Sequence, residues 1–250
     1  MSSVTQYVSG IVPDGGNYNL GLGYNAGTAL TTGDNNAFAG YASGAATTTA
    51  GNNTAYGYNA LASNITGHSN VAIGSGAFDG ADDEDHNIAI GRAALGGGVA
   101  GGQYNLAVGN YSLDAAVTGS GNIVLGHSSA TAATSLSNSV VIGYEAVSTG
   151  VLTGTRNTIM GYQAMRYATS AENNVVLGGQ ACADGNAMTG DNNTVIGESA
   201  AKALTTGSSN ITVGYTAGNN ITSGSNNVVI GAADVTATGS DQLSISSGDG

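Results

Sequence analysis

The densest run of reactive side chains is Asp79-Gly80-Ala81-Asp82-Asp83-Glu84-Asp85-His86, where five acids share one loop. Hard cations collect several oxygen ligands, so Asp79, Asp82, Asp83 and Asp85 form the one metal-ligating set that the chain suggests. The run lacks the ligand spacing of a known calcium loop, and a solvated acidic bulge is the preferred reading. It is also the only stretch that approaches the paired carboxylates of a carbohydrate-processing solenoid. The three histidines, His68, His86 and His127, show no metal-ligand spacing, and no nucleophile or carboxylate recurs with them, so they read as surface polar groups. Gly21-Leu22-Gly23 with Gly27 has the wrong spacing for a dinucleotide loop and no helix after it.

Six tyrosines, Tyr24, Tyr41, Tyr58, Tyr144, Tyr162 and Tyr215, each follow a glycine. Such rings would stack on sugars or pack between chains, where an apolar ring and a polar tip are both useful. Packing is preferred. An ice-binding face would need a regular threonine array, and Thr54, Thr158 and Thr194 do not supply one.

These residues sit on a repeat. Asn70-Val71-Ala72-Ile73-Gly74 is written thirteen times with variations, closing on an anchor glycine at 23, 40, 57, 74, 91, 109, 126, 143, 161, 178, 197, 214 and 231. The anchors are 17 apart nine times, 18 twice and 19 once, the longer steps following Gly91, Gly143 and Gly178. A fixed period of this length means stacked coils. Position −4 from the anchor is a column of Asn19, Asn36, Asn53, Asn70, Asn87, Asn105, Asn122, Asn157, Asn174, Asn193, Asn210 and Asn227, with Ser139 in the remaining copy. Asparagine suits a left-handed corner and, stacked in register, forms amide ladders, so the column reads as structural. Positions −3 and −1, as in Val71 and Ile73, are aliphatic and share one face of a short strand. That face is expected to fill the coil, with the residue between them packing outward on something flat. Position +3 is mostly alanine and +4 often larger, a second inward edge on which Cys182 reads as a buried hydrophobe. Glycine recurs at −7, and the two glycine columns are expected to supply positive φ at both corners.

Hairpins and helices fit poorly. With 42 glycines there is no Asn-Gly dipeptide and no room for long helical runs. The expectation is an all-β, parallel β-solenoid (β-roll or β-helix) of about 13 coils, at ~4.8 Å per coil a rod of roughly 60 Å. Residues 1–16, with the only proline, precede the shaft as a cap or attachment segment. The shaft spans 17–233, and 234–250 form a second cap or lead into a further domain.

Composition narrows the function. Sixteen acids against four Lys and Arg give a formal charge of −12, which repels phosphate backbones and argues against nucleic acid. No stretch of ~20 apolar residues spans a membrane, and Met1 to Val12 has no basic n-region or sustained apolar run. One cysteine makes no internal disulfide. No cofactor is expected.

Asn70 to Ala77 and Asn227 to Ala233 resemble the head repeats of trimeric autotransporter adhesins. Gly51-Asn52-Asn53-Thr54-Ala55-Tyr56-Gly57-Tyr58-Asn59-Ala60-Leu61 is similar to the version found in bacteriophage tail-fibre shafts. The resemblance covers about residues 17 to 233, although the adhesin repeat is usually shorter than 17. It implies a homotrimer with a structural, host-attachment role. Gly239 to Ile245 resembles the segment that in tail fibres leads into a self-cleaving chaperone domain, which favours a phage fibre. The expected function is therefore a tail-fibre shaft, in the virion, with self as partner and any host glycan or protein bound through another domain. A secreted adhesin or surface-filament subunit on the cell exterior is the alternative, and no catalytic turnover is expected. A trimer also has a physical motive: each thin coil must offset roughly 1–2 kcal/mol of backbone entropy per residue, and burying a further face helps.

Overall fold

A computed structural model describes residues 8–9, 18–80, 82–97, 101–115 and 118–247. The fold is all-β, a parallel β-solenoid of about thirteen coils that divides into two compact units, Met1–Ser120 and Gly121–Gly250. In the first unit the strands are β1 (Val8–Ser9), β2 (Leu20–Leu22), β3 (Ala37–Ala39), β4 (Thr54–Tyr56), β5 (Val71–Ile73), β6 (Ile88–Ile90) and β7 (Leu106–Val108). In the second they are β8 (Ile123–Leu125), β9 (Val140–Ile142), β10 (Thr158–Met160), β11 (Val175–Leu177), β12 (Thr194–Ile196), β13 (Ile211–Val213), β14 (Val228–Ile230) and β15 (Leu243–Ile245).

Within each unit every strand from β2 onward pairs in parallel with its sequence neighbour, one repeat apart: Val71 lies beside Ile88, and Val175 beside Thr194. Backbone bonds continue the ladder outside the strands, as in Ala42 N–H to the Tyr24 carbonyl (2.8 Å) and Leu61 N–H to the Ala77 carbonyl (3.0 Å). Two ends depart from the expectation of uniform coiling. β1 pairs antiparallel with β2, Val8 opposite Leu22, and is the only part of the 1–16 segment among the described residues. At the other end β15 pairs in parallel with β14, so the coiling continues past Gly231 through a shortened turn, with Gln242 standing where asparagine stood before.

The strand faces are the reverse of the sequence expectation. Ala72 is fully buried, while Val71 is half-buried and Ile73 is 38 % exposed. The same buried middle residue recurs from β2 to β14. Parity explains it: positions −4 and −2 lie on one side of an extended chain, and the asparagine at −4 is held inside. The aliphatic residues at −3 and −1 must then face out. The second inward edge is where the sequence placed it, with Ala77, Phe78, Ala164 and Met165 all fully buried.

The corners also differ from expectation. The left-handed residue is at −5, not −4: Asn52, Ser69 and Arg156 have φ of 61°, 60° and 59°. Positions +2 and +4 are left-handed as well, the latter even for Leu61 and Val147 at 56° and 51°. Of the two glycine columns only the anchors take positive φ. Gly143, at +143°, is also pressed against the next coil, where a Cβ would overlap the Gly161 carbonyl. The −7 glycines such as Gly207 have no such φ; there the missing Cβ simply clears the Gly224 carbonyl.

Candidate functional site

Three columns carry the polar chemistry, and the backbone corners position them. The asparagine column is buried. In the first unit Asn53 N–H donates to Asn36 Oδ1 (3.0 Å), Asn70 to Asn53 (2.8 Å), and Asn87 to Asn70 (2.9 Å). In the second unit Asn174 N–H donates to Asn157 Oδ1 (3.0 Å), Asn193 to Asn174 (2.8 Å), and Asn210 to Asn193 (3.0 Å). Each amide also spends Nδ2 on a carbonyl of the next coil, as Asn70 does on Glu84 (2.7 Å). Asn19, Asn105, Asn122 and Asn227 belong to the same series. Ser139 substitutes by accepting from Asn157 N–H through Oγ (3.0 Å) while donating to the Ser137 carbonyl. Both groups of the amide are consumed in joining coils, which leaves them nothing to offer a ligand.

A second polar ladder, which the sequence reading missed, runs at position −6 on the wet side of the same corner. Asp191 N–H donates to Ser208 Oγ, Ser208 N–H to Ser225 Oγ and Ser225 N–H to Ser240 Oγ, each at 3.0 Å. His68 belongs to this column: its Nδ1 accepts from Gly51 N–H (2.9 Å), and its own N–H donates to Asp85. The signal was there in the recurrence of Ser, Asp and His two places before many of the asparagines, as at Asp34, His68, Asp85, Ser120, Asp191, Ser208 and Ser225.

The acidic run does not gather as the sequence suggested. Asp82, Asp83 and Glu84 bring carboxylate oxygens within 4.8 Å of one another. Asp85 is committed to His68 N–H, and Asp79 lies instead near Asp114. Glu84 is buried and its oxygens are spent on backbone, Oε1 accepting from Gly101 N–H (2.8 Å) and Oε2 from Asp82 N–H (3.0 Å). The hydrogen bond that protonated Asp82 donates to Asp83, together with the Asp83 charge, raises the Asp82 pKa from its ordinary value. Burial raises Asp79 and Asp114 likewise. The run is a stapled loop with an exposed acidic tip.

The tyrosines form short stacks. Tyr24 lies on Tyr41 and Tyr41 on Tyr58, with ring centroids 5.4 and 5.3 Å apart. In the second unit His127, Tyr144 and Tyr162 stack at 5.4 and 5.9 Å, and Tyr215 stands exposed farther along. Between the outward strand residues and the first stack lies a notch of about 190 Å³, lined by Leu22, Ala39, Gly40, Tyr56, Gly57 and Tyr58. Ala39 makes it, being short between Leu22 and Tyr56. His86 stacks on Tyr104 at 5.0 Å. Cys182 is buried, and that burial pushes its thiol up to about 12, far from a nucleophile's range.

The outward strand face of each unit is continuous and uncharged. Positions −3 and −1 from β2 to β15 are Val, Ile, Leu, Met, Ala, Thr or Tyr, without one charged residue. Many are open to solvent, Ile73, Ile90, Ile196 and Ile230 among them. No described helix is long and apolar enough to cross a membrane. The architecture and these columns define a repeat protein of the parallel β-solenoid class. Comparison with family models, curated proteins and solved structures finds no match to the chain.

Proposed function

We propose that the chain is the structural shaft of an adhesive fibre, a bacteriophage tail fibre, which works as a homotrimer and supports attachment to a host cell. The observation that carries this reading is the uncharged aliphatic outer face. An acidic chain would gain solubility from charge at those positions, yet it keeps them apolar. Apolar faces of this kind mark contact surfaces. A strip whose features recur every ~4.8 Å is matched along its length by a strip of the same spacing, and a second copy of the chain supplies one. Each outward isoleucine, still about 40 % open in one chain, would gain roughly 1–2 kcal/mol on being covered. Three copies closing on an axis cover all three faces without leaving an open contact. Mechanical strength follows from the coil-to-coil hydrogen bonds, which run around the whole turn rather than through the strand alone.

The test is the mass in solution. Light scattering should give about three times 24.2 kDa. Ile73→Asp with Ile90→Asp in the first unit, or Ile196→Asp with Ile230→Asp in the second, should lower that mass while the β-type circular dichroism persists. A parent chain that runs as a 24.2 kDa species defeats the assembly, and with it the fibre reading.

A further inference from the structure

In the second unit the column one place after the anchor reads His127, Tyr144, Tyr162, Gly179, Glu198 and Tyr215. Its first three rings stack with interplanar angles of 16° and 14°. The stack then stops. One face of Tyr162 lies on Tyr144, and the other looks along the column towards Gly179, which has no side chain to cover it. A Cβ built on Gly179 meets one neighbouring atom, Glu198 Cγ at 4.0 Å, so the step above Tyr162 is open. The Glu198 side chain makes no hydrogen bond or ion pair among the described residues, in contrast to Glu145 and Glu172, which pair with Arg166 and Arg156. Beside the gap Gln180 reaches back to Gln163, Nε2 to Oε1 at 3.4 Å, and keeps its own carbonyl oxygen uncommitted.

We infer that Tyr162, Gly179, Gln180 and Glu198 form a binding slot for a neutral pyranose ring. The aromatic face takes the C–H side of the sugar, which complements the negative face of the ring. The Glu198 carboxylate and the Gln180 carbonyl accept hydrogen bonds from hydroxyls, and charged acceptors make the stronger ones. The backbones of Tyr162 and Glu198 are two coil steps apart, about 9.6 Å at ~4.8 Å each, and the Glu198 side chain leans into that height, its Cγ 4.0 Å from the Cβ position of Gly179. A puckered ring lying on Tyr162 turns its outer hydroxyls towards that carboxylate. Anionic sugars are disfavoured by Glu198 and by the net charge of −12. Tyr162 follows its anchor and is not one of the −3 and −1 strand residues through which the assembly is proposed. A single ring on one aromatic face binds weakly, with a Kd on the order of 1–10 mM, and useful strength would come from many copies acting together.

The test uses the intact chain with methyl β-D-glucopyranoside, methyl β-D-galactopyranoside and methyl α-D-mannopyranoside, read by saturation-transfer NMR. Transfer to the ring C–H protons of at least one is expected. Tyr162→Ala should weaken it by about tenfold and Glu198→Gln by about threefold. Gly179→Tyr should abolish it by continuing the stack into the slot; Gly179 has no positive φ to forbid a side chain, so the unfolding midpoint should hold. No transfer from any of the three glycosides overturns the inference, as does transfer that survives both Gly179→Tyr and Tyr162→Ala. Tighter binding of Nα-acetyl-L-arginine methylamide, lost in Glu198→Gln, would overturn it in favour of a cation site. None of these results depends on the mass in solution, so the two readings fail separately.

Discussion

Coils of the two units are filled in contrasting ways. From β4 to β7 the inner strand column is Ala55, Ala72, Ala89 and Ala107, and the bulk comes from the facing corner as Leu61, Phe78, Leu95 and Leu113. In the second unit the strand column carries the volume, with Val124, Val141, Ile159, Val176 and Val195, while the corner shrinks in places to Ala130, Cys182 and Ala201. The coil of β3 takes the second arrangement to its limit: Phe38 fills the interior, and Gly27 and Gly44 stand opposite, where a Cβ would come within 2.9 and 2.6 Å of its ring. In these coils a large residue on one side stands opposite a small one on the other, as close packing requires, although the coil of β10 holds Ile159 and Met165 together. The residue type at any one position is free to vary if its facing partner compensates.

The largest expected effect comes from breaking that compensation at its extreme. Gly44→Leu places a side chain into the Phe38 ring, and overpacking of this kind costs about 3 kcal/mol or more. The backbone itself does not forbid leucine, since Leu61 occupies the equivalent position at φ 56° against 58° for Gly44. Adding Phe38→Ala should therefore recover most of the loss, converting the coil to the Ala55 and Leu61 type. A double-mutant cycle in urea checks this; two losses that simply add would show that the facing pair is not coupled.

A cost common to both units comes next. Asn70→Ala removes the acceptor of Asn87 N–H and the donor to the Glu84 carbonyl. Asn174→Ala does the same to Asn193 N–H and the Gly190 carbonyl. Buried groups left without partners cost about 1–3 kcal/mol each, so both variants should lose about 3 kcal/mol despite their different cores. By contrast Ser208→Ala, in the solvated −6 ladder, leaves Asp191 N–H to water and should cost less than about 1 kcal/mol. Equal penalties in the two ladders, measured by chemical unfolding, would mean that burial is not what restricts position −4 to asparagine.

Finer still is the exchange of strand-column bulk. Ala72→Val should overpack against the large corner residues and lose about 1–3 kcal/mol. Val176→Ala should lose a similar amount for the opposite reason, by leaving a void beside the small Cys182. Stabilisation by either change, read from the unfolding midpoint, would show slack in a core described as full.

The period, the parallel stacking and the inward corner at +3 and +4 were legible in the sequence, because each depends on a pattern that repeats at fixed spacing. The strand orientation was not. Aliphatic Val71 and Ile73 look like core by residue type, and only the parity of Asn70 with Ala72 shows that they face out. Hydrophobicity pointed one way and the hydrogen-bonding needs of a buried amide decided the other. The anchors' positive φ was readable, whereas the left-handed −5 corner falls on residues as different as Asn52, His86 and Arg156. Asparagine does favour it, at Asn35, Asn52, Asn138, Asn173, Asn192 and Asn226, but Tyr18, His86, Tyr104 and Arg156 blur that signal beside the stronger column at −4. Of the candidate sites, the acidic run showed as composition, but not that Glu84 turns inward to staple its own loop. The Tyr162 slot depends on what is missing at Gly179, which a column of glycine-rich repeats conceals.

The smallest effect is a labelling rate that reports on the second unit. Cys182 sits at the corner position in its coil, with a thiol that burial pushes up to about 12. The folded pKa lies above the ordinary thiol value of about 8.5, so the thiolate is scarce throughout the neutral range and the native chain resists alkylation. Its labelling rate should climb about tenfold per pH unit from pH 8 to 10 without levelling. A reference cysteine at the exposed position 223, made by Ser223→Cys in a Cys182→Ala background, should level off near pH 9. Val176→Ala should speed labelling of Cys182 by loosening its facing partner, whereas Ala72→Val, in the other unit, should not. If both variants accelerate it equally, the interiors of the two units open as one, and the contrast between their fillings has no consequence for how each comes apart.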